Sequence, residues 1–208
     1  MGRHENLERR RQVLLAAAEE FATKGYAATS YSSIGERLGL ERSRVQNYMP
    51  SKAEFAAEIA WEPFRTGLFL SPEGELAGGV SAILSMVTHV AEQYVGSVTA
   101  RASIRLMSER DLISAKLPIP FEGWLAGIER LVREAIAAGE LPAVVDVEIL
   151  TQALVGSFEG NRRIAEERGQ RSRLPEYARR SAEYILAGAS FGRAPGTTGD
   201  AGASPAAD

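Results

Sequence analysis

Residues 29–52, TSYSSIGERLGLERSRVQNYMPSK, constrain this chain more than any other stretch. Ser30 is a good N-cap, because its hydroxyl accepts a backbone N–H left free at a helix start. Ile34 and Leu38 then lie four apart, which gives a helix over 31–38 an inner side. Gly39 stops that helix, since glycine takes the left-handed conformation without a Cβ clash. A second helix is expected over 42–49, with Val45 and Met49 inward. Pro50 cannot continue it, and Ser51 can cap the next.

The outward side of the second helix carries Arg42, Ser43, Arg44, Gln46, Asn47 and Tyr48. Arginine pairs bidentately with guanine, and asparagine or glutamine with adenine. Two short helices around a glycine turn, the second bearing such side chains, form a helix-turn-helix pattern. The competing reading of the same residues is a solvated face of an ordinary helical hairpin.

Charge distribution separates the two readings a little. The chain of 208 residues carries a net charge of −3. Residues 1–52 hold nine Lys/Arg against six Glu, so the first quarter is basic and the remainder acidic. A locally basic module on an acidic body still attracts phosphates. Arg9, Arg10 and Arg11 stand near the start of an amphipathic helix expected over 6–24. Its stripe is Leu7, Leu14, Ala17, Ala18 and Phe21, and Gly25 ends it.

The rest reads as helices as well. A long helix over 52–70 leaves the motif with Phe55, Ile59 and Phe64 on one side. Pro63 should kink or split it. Ser71-Pro72-Glu73-Gly74 is a turn signal. Helical periodicity recurs over 76–94, 99–108, 121–138, 146–168 and 174–189, with Asp146 as a cap. Gly192 onward is Gly, Ala, Pro and Thr with little to bury, and disorder is expected for the tail 191–208. The expected fold is all-α. It has a helix-turn-helix domain over 1–52 and a larger helical domain over 53–190.

Composition excludes several chemistries. There is no cysteine, hence no disulfide and no thiolate ligand or nucleophile. No apolar run approaches the ~18 residues of a membrane helix, and residues 1–12 lack the apolar segment of a secretory signal. A cytoplasmic location follows as the expectation. The only histidines are His4 and His89. No metalloprotease, nucleophile-elbow or phosphate-loop pattern occurs, so no catalytic residue, metal or cofactor is expected.

On Leu14, Ala17–Ala18, Phe21, Gly25–Tyr26, Thr29–Ser30, Ile34, Gly39, Tyr48 and Ser51–Lys52, the first quarter resembles the DNA-binding domain of the TetR family of bacterial repressors. The resemblance implies a third helix behind the motif. It also implies a homodimer on a palindromic operator, with half-sites about one helical turn, ~34 Å, or a multiple apart. By resemblance Tyr48 and Lys52 contact phosphates, Arg42, Ser43, Arg44 and Asn47 face bases, and Ser30 stands at the DNA side. Gln46 and Asn47 replace a usual aromatic pair, Met49 a usual Phe, and Arg44 a small residue; these departures bear on operator sequence.

Leu117–Trp124, LPIPFEGW, is similar to the γ-butyrolactone-type autoregulator receptors within that family, as are RASIRLMSERD and VDVEILTQALVGSFEGNRRI. The resemblance implies that Trp124 packs on a lactone-like effector. The candidate lining is Trp124, Phe121, Phe158, Asn161, Val87 and Leu106. The last two helices resemble the family's dimer interface, with Leu150, Leu154, Phe158, Tyr184 and Ile185 as candidates. Pro63 and Asn161 stand where receptors often have Gln and Thr, which points to a related butenolide or furan, or to a pseudo-receptor. An efflux repressor with a multidrug pocket, an enzyme on a helical fold and a protein-binding hairpin remain as alternatives.

Overall fold

The structure is a computed structural model and describes residues 3–67 and 78–191. Among these residues there are nine α-helices, two short 3-10 turns and no strand. Helices α1 (Arg3–Ala28), α2 (Tyr31–Leu38), α3 (Arg42–Tyr48) and α4 (Lys52–Arg65) come first. Helices α5 (Val80–Gly96), α6 (Val98–Ser108), α7 (Glu122–Ala137), α8 (Val147–Glu167) and α9 (Leu174–Ser190) follow. The expected continuation of a helix to Leu70, the turn at 71–74, a helix start at Leu76 and the tail from Gly192 lie outside the described residues.

Local chemistry explains the ends of these elements. Ser30 forms a reciprocal capping box with Ser33: each hydroxyl oxygen accepts the other residue's backbone N–H. Gly39 closes α2 with φ 63°. Ser51, Ser97 and Asp146 cap α4, α6 and α8. Pro63 neither splits α4 nor ends it, and the helix runs on to Arg65. The proline sits in the last turn, where only a short length of helix remains to be displaced.

The inward stripe of α1 keeps Ala17, Ala18 and Phe21 as expected but takes Val13 in place of Leu7 and Leu14. Val13, Ala17 and Phe21 are fully buried, whereas Leu7 is exposed and Leu14 only partly covered. Gly25 breaks α1 with φ 81°.

Two apolar clusters organise the molecule. One joins α1–α4 around Phe21, Ile34, Val45, Met49 and Ile59. The other joins α5, α7, α8 and α9 around Ile83, Ile128, Leu131, Leu154 and Phe158. Helix α6 contributes Ala102 and Leu106 to the first cluster although it follows α5 in the chain. The packing around the helix-turn-helix therefore extends well beyond residue 52. Ser103 Oγ donates to the Ala60 carbonyl at 2.7 Å, and Trp61 Nε1 to the Lys116 carbonyl at 3.0 Å, which fastens α4 to this region.

Candidate DNA interface and effector cavity

Helix α3 is held by two buried side chains, Val45 and Met49, and presents the rest. Arg42, Ser43, Arg44, Gln46 and Asn47 are exposed. None of them makes a side-chain hydrogen bond or ion pair within the described residues, so their donors and acceptors are available. Tyr48 is half-buried against the first cluster. The turn below α3 depends on Gly35: a Cβ there would stand 2.3 Å from the Leu40 carbonyl oxygen, and the Leu40 N–H donates to the Gly35 carbonyl at 2.9 Å. Sequence reading passed over Gly35. Its signal was a glycine inside a short amphipathic helix, which marks a close approach.

Other basic residues of the first quarter are committed inside the protein. Lys52 Nζ donates to the Tyr26 and Thr29 carbonyls, both at 2.9 Å, and lies 4.2 Å from the Tyr26 ring centroid. Its three donors thus face two carbonyls and a ring, which ties α4 to the end of α1 and departs from a phosphate contact. Arg10 makes a two-pronged pair with Glu58 of α4, at 2.9 and 2.6 Å, and lies over the Phe55 ring. Arg37 reaches back from α2 to Glu19 and Glu20 of α1, each at 2.6 Å. Glu20 is buried. Burial alone would raise its pKa, yet hydrogen bonds from Lys24 and Arg37 outweigh it and bring the carboxyl down to about 2.

On the far side of α6 lies an apolar cavity of about 150 Å³. Its walls come from α5 (Met86, Val90), α6 (Ile104, Met107) and α7–α8 (Trp124, Phe158). Trp124 meets Phe158 edge to face at 4.6 Å between ring centroids, a favoured aromatic geometry. The Trp124 Nε1–H is buried with no acceptor among the described residues. Phe121 stands at the mouth with a left-handed backbone, φ 64°, and is 41% exposed.

Three of the expected lining residues are placed away from the cavity. Val87 is buried in the second cluster, while its neighbours Met86 and Val90 line the cavity. Leu106 points into the first cluster, and Ile104 and Met107 line the cavity instead. One residue turns a helix by about 100°, and α6 is covered on two sides, so the period alone did not choose between them. Asn161 donates to Ser181 Oγ at 2.9 Å, joining α8 to α9 away from the cavity. Trp124, Phe121 and Phe158 do converge on the cavity. Leu150, Leu154 and Phe158 are buried within the chain, and Ile185 is partly covered. The exposed apolar residues on α8 and α9 are Ile149 (65%), Ile164 (53%) and Tyr184 (69%).

Helix α6 connects the two sites. Glu109, at its C-cap, accepts the Tyr26 backbone N–H at 2.5 Å, and Arg105 donates to the Thr23 carbonyl at 3.1 Å. A Cβ at Gly25 would stand 2.3 Å from a Glu109 oxygen, so that glycine leaves room for the carboxylate. The same α6 that touches the cavity with Ile104 and Met107 thus holds the end of α1.

No helix among the described residues is long and apolar enough to cross a membrane, and no metal-binding group of His, Asp or Glu occurs among them.

No curated protein matches the chain at a significant level. Solved structures do. One, concerned with the molecular basis for control of antibiotic production by bacterial hormones, shares 27% identity at TM-score 0.68, over 86% of this chain and 96% of its own. The full-length regulator TylP from Streptomyces fradiae shares 25% at TM-score 0.63, over 91% of this chain and 89% of its own. CprB from Streptomyces coelicolor A3(2), at 24% and TM-score 0.65 over 85% of this chain and 98% of its own, supports the fold. Residues 13–59 match the profile of bacterial regulatory proteins of the tetR family, and residues 78–187 match that of the tetracyclin repressor-like C-terminal domain. With the second match alone covering more than half the sequence, the chain belongs to the TetR family of DNA-binding bacterial regulators.

Proposed function

We propose that this protein is a ligand-released transcriptional repressor that binds a palindromic operator as a homodimer. We further propose that its effector is a small ring compound of the lactone, butenolide or furan type. The observation that carries the effector reading is the Trp124 Nε1–H, a buried donor without an acceptor among the described residues, beside an apolar cavity. A buried unpaired donor costs about 1–3 kcal/mol, and a ligand carbonyl or ring oxygen would recover much of that. A cavity of about 150 Å³ suits a benzene-sized ring. A substituent on that ring would leave by the Phe121 side, and the small volume argues against a broad multidrug pocket.

Arg42, Ser43, Arg44 and Asn47 read bases in this proposal, with Tyr48 and Ser30 at the backbone. The second protomer covers Ile149, Ile164 and Tyr184. These lie on the outer side of α8 and α9, where the exposed Gly156 and Gly160 leave room for close approach.

Release follows from α6. A ring pressed on Ile104 and Met107 shifts α6, and Arg105 and Glu109 carry the shift to α1. Because α1 packs on α2 and α3, the recognition helices of the dimer leave their groove spacing. The effector must bind the released arrangement more tightly, since equal affinity shifts nothing.

The test is fluorescence anisotropy on the gene's own upstream DNA at two salt concentrations, with random DNA as control and a butyrolactone titrated in. Selective, salt-sensitive binding reversed by the lactone is the expected result. Selective binding that no lactone, butenolide or furan reverses would keep the repressor and sink the effector class.

A further inference from the structure

A second, polar cleft of about 1050 Å³ opens between α1 and α2 on one side and α6 and α8 on the other. It shares Ile104, Ser108 and Glu159 with the effector cavity as a common wall. Six arginines line it. Five are paired within the chain: Arg37 with Glu19, Arg105 with Glu109, Arg162 with Glu159, Arg163 with Glu167 and Arg171 with Glu166.

Arg101 has no carboxylate within ion-pair distance among the described residues. Its Nη1 donates to the Tyr94 and Val95 carbonyls at 3.1 and 2.8 Å, closing the end of α5. Its Nε and Nη2 make no hydrogen bond there. Glu166 is near enough to favour the cation, but it is already held by Arg171 and by the Tyr94 hydroxyl at 3.0 Å. Burial and then the neighbouring Arg171 both work against the Arg101 charge. A half-buried guanidinium with an idle planar fork is the arrangement that receives an oxyanion.

We propose that this cleft binds a small polyanion bearing carboxylate or phosphate groups, held by Arg101. The site is distinct from the effector cavity and does not depend on the effector's identity. A ligand here touches both the helix-turn-helix side and the body. A ligand that favours one of the two arrangements is coupled to operator affinity, and operator binding to its own affinity by the same factor.

Thermal melts and calorimetric titrations with citrate and, separately, with pyrophosphate test this, each against sodium chloride at equal ionic strength. Wild-type protein is expected to show saturable binding and a rise in Tm of about 4 °C at ten times Kd. Arg101→Gln is expected to weaken binding at least ~10-fold, the loss of one charge-assisted contact. Arg163→Gln, which changes a paired arginine of the same cleft, is expected to retain it. A response to citrate alone assigns a carboxylate ligand, and a response to pyrophosphate alone a phosphate. Absence of saturable wild-type binding to either anion overturns the proposal, as does an Arg101→Gln protein that binds as tightly as wild type. Should Arg101→Gln fail to fold, the wild-type calorimetry decides alone.

Discussion

Trp124 and Phe121 show how single residues carry strain or an unmet bond beside the cavity. Trp124→Phe keeps an aromatic ring beside Phe158 and removes the N–H together with the five-membered part of the indole. Its expected effect is loss of about 1 kcal/mol of effector affinity, roughly fivefold, with little change in melting temperature, checked by titration calorimetry and a thermal melt. Phe121 holds a left-handed conformation that costs a non-glycine residue about 1–2 kcal/mol. On α3, Arg44→Ala is expected to weaken operator binding by about 1–3 kcal/mol and to relax preference at one base pair, read by anisotropy on a set of single-base operator variants. Unchanged affinity would remove Arg44 from base reading. Lys52→Ala separates two roles for one side chain. The bonds to Tyr26 and Thr29 lead to a lower melting temperature with the salt slope of DNA binding kept, whereas a phosphate contact would make that slope shallower by ~1.

At the scale of elements, the α2–α3 turn and the α1–α6 junction are each built on a close approach at a glycine. Gly35→Ala puts a Cβ against the Leu40 carbonyl, a backbone atom that cannot swing aside. The expected cost is about 1–3 kcal/mol, seen as a lower Tm and lost operator binding. Glu109→Gln acts at the other junction. It keeps an acceptor for the Tyr26 N–H but removes the charge that Arg105 pairs with, at 3.1 Å. Operator binding is expected to persist while release by effector needs more ligand, since the relay is loosened and the recognition helix untouched.

For the whole molecule, acid stability and assembly are the properties to measure. The Glu20 carboxyl sits at about 2 in the folded chain, against an ordinary 4.5. A depressed folded value means that its contribution is fully present above pH 4.5 and is lost as pH falls toward 2. The shift corresponds to about 3 kcal/mol at neutral pH. Denaturant melts between pH 6 and pH 2 check it: Glu20→Gln should be less stable than wild type near neutrality, and the gap should close on acidification. In the proposed dimer, assembly depends on the exposed outer side of α8 and α9. Ile164→Arg is expected to shift the dimer toward monomer in sedimentation and to abolish tight operator binding, while leaving each chain folded, because Ile164 is 53% exposed.

What the sequence determined by itself were the properties written in local chemistry. Caps at Ser30, Ser51 and Asp146, the stop at Gly39 and helical periodicity set the all-α order of elements, and the residues facing outward on α3 followed from Val45 and Met49 facing in. These features depend on neighbours three or four residues away, which a sequence displays directly. The tertiary structure decided which side of a doubly covered helix meets which partner. It put Leu106 in the first cluster and Ile104 and Met107 at the cavity, turned Leu150 and Leu154 inward while leaving Ile149 and Ile164 outside, and placed Asn161 against Ser181. It also matched Lys52, Arg10 and Arg37 with partners 17 to 48 residues away. Such pairings depend on how helices stack, and stacking is set by the summed packing of the whole core, which no local pattern along the chain records.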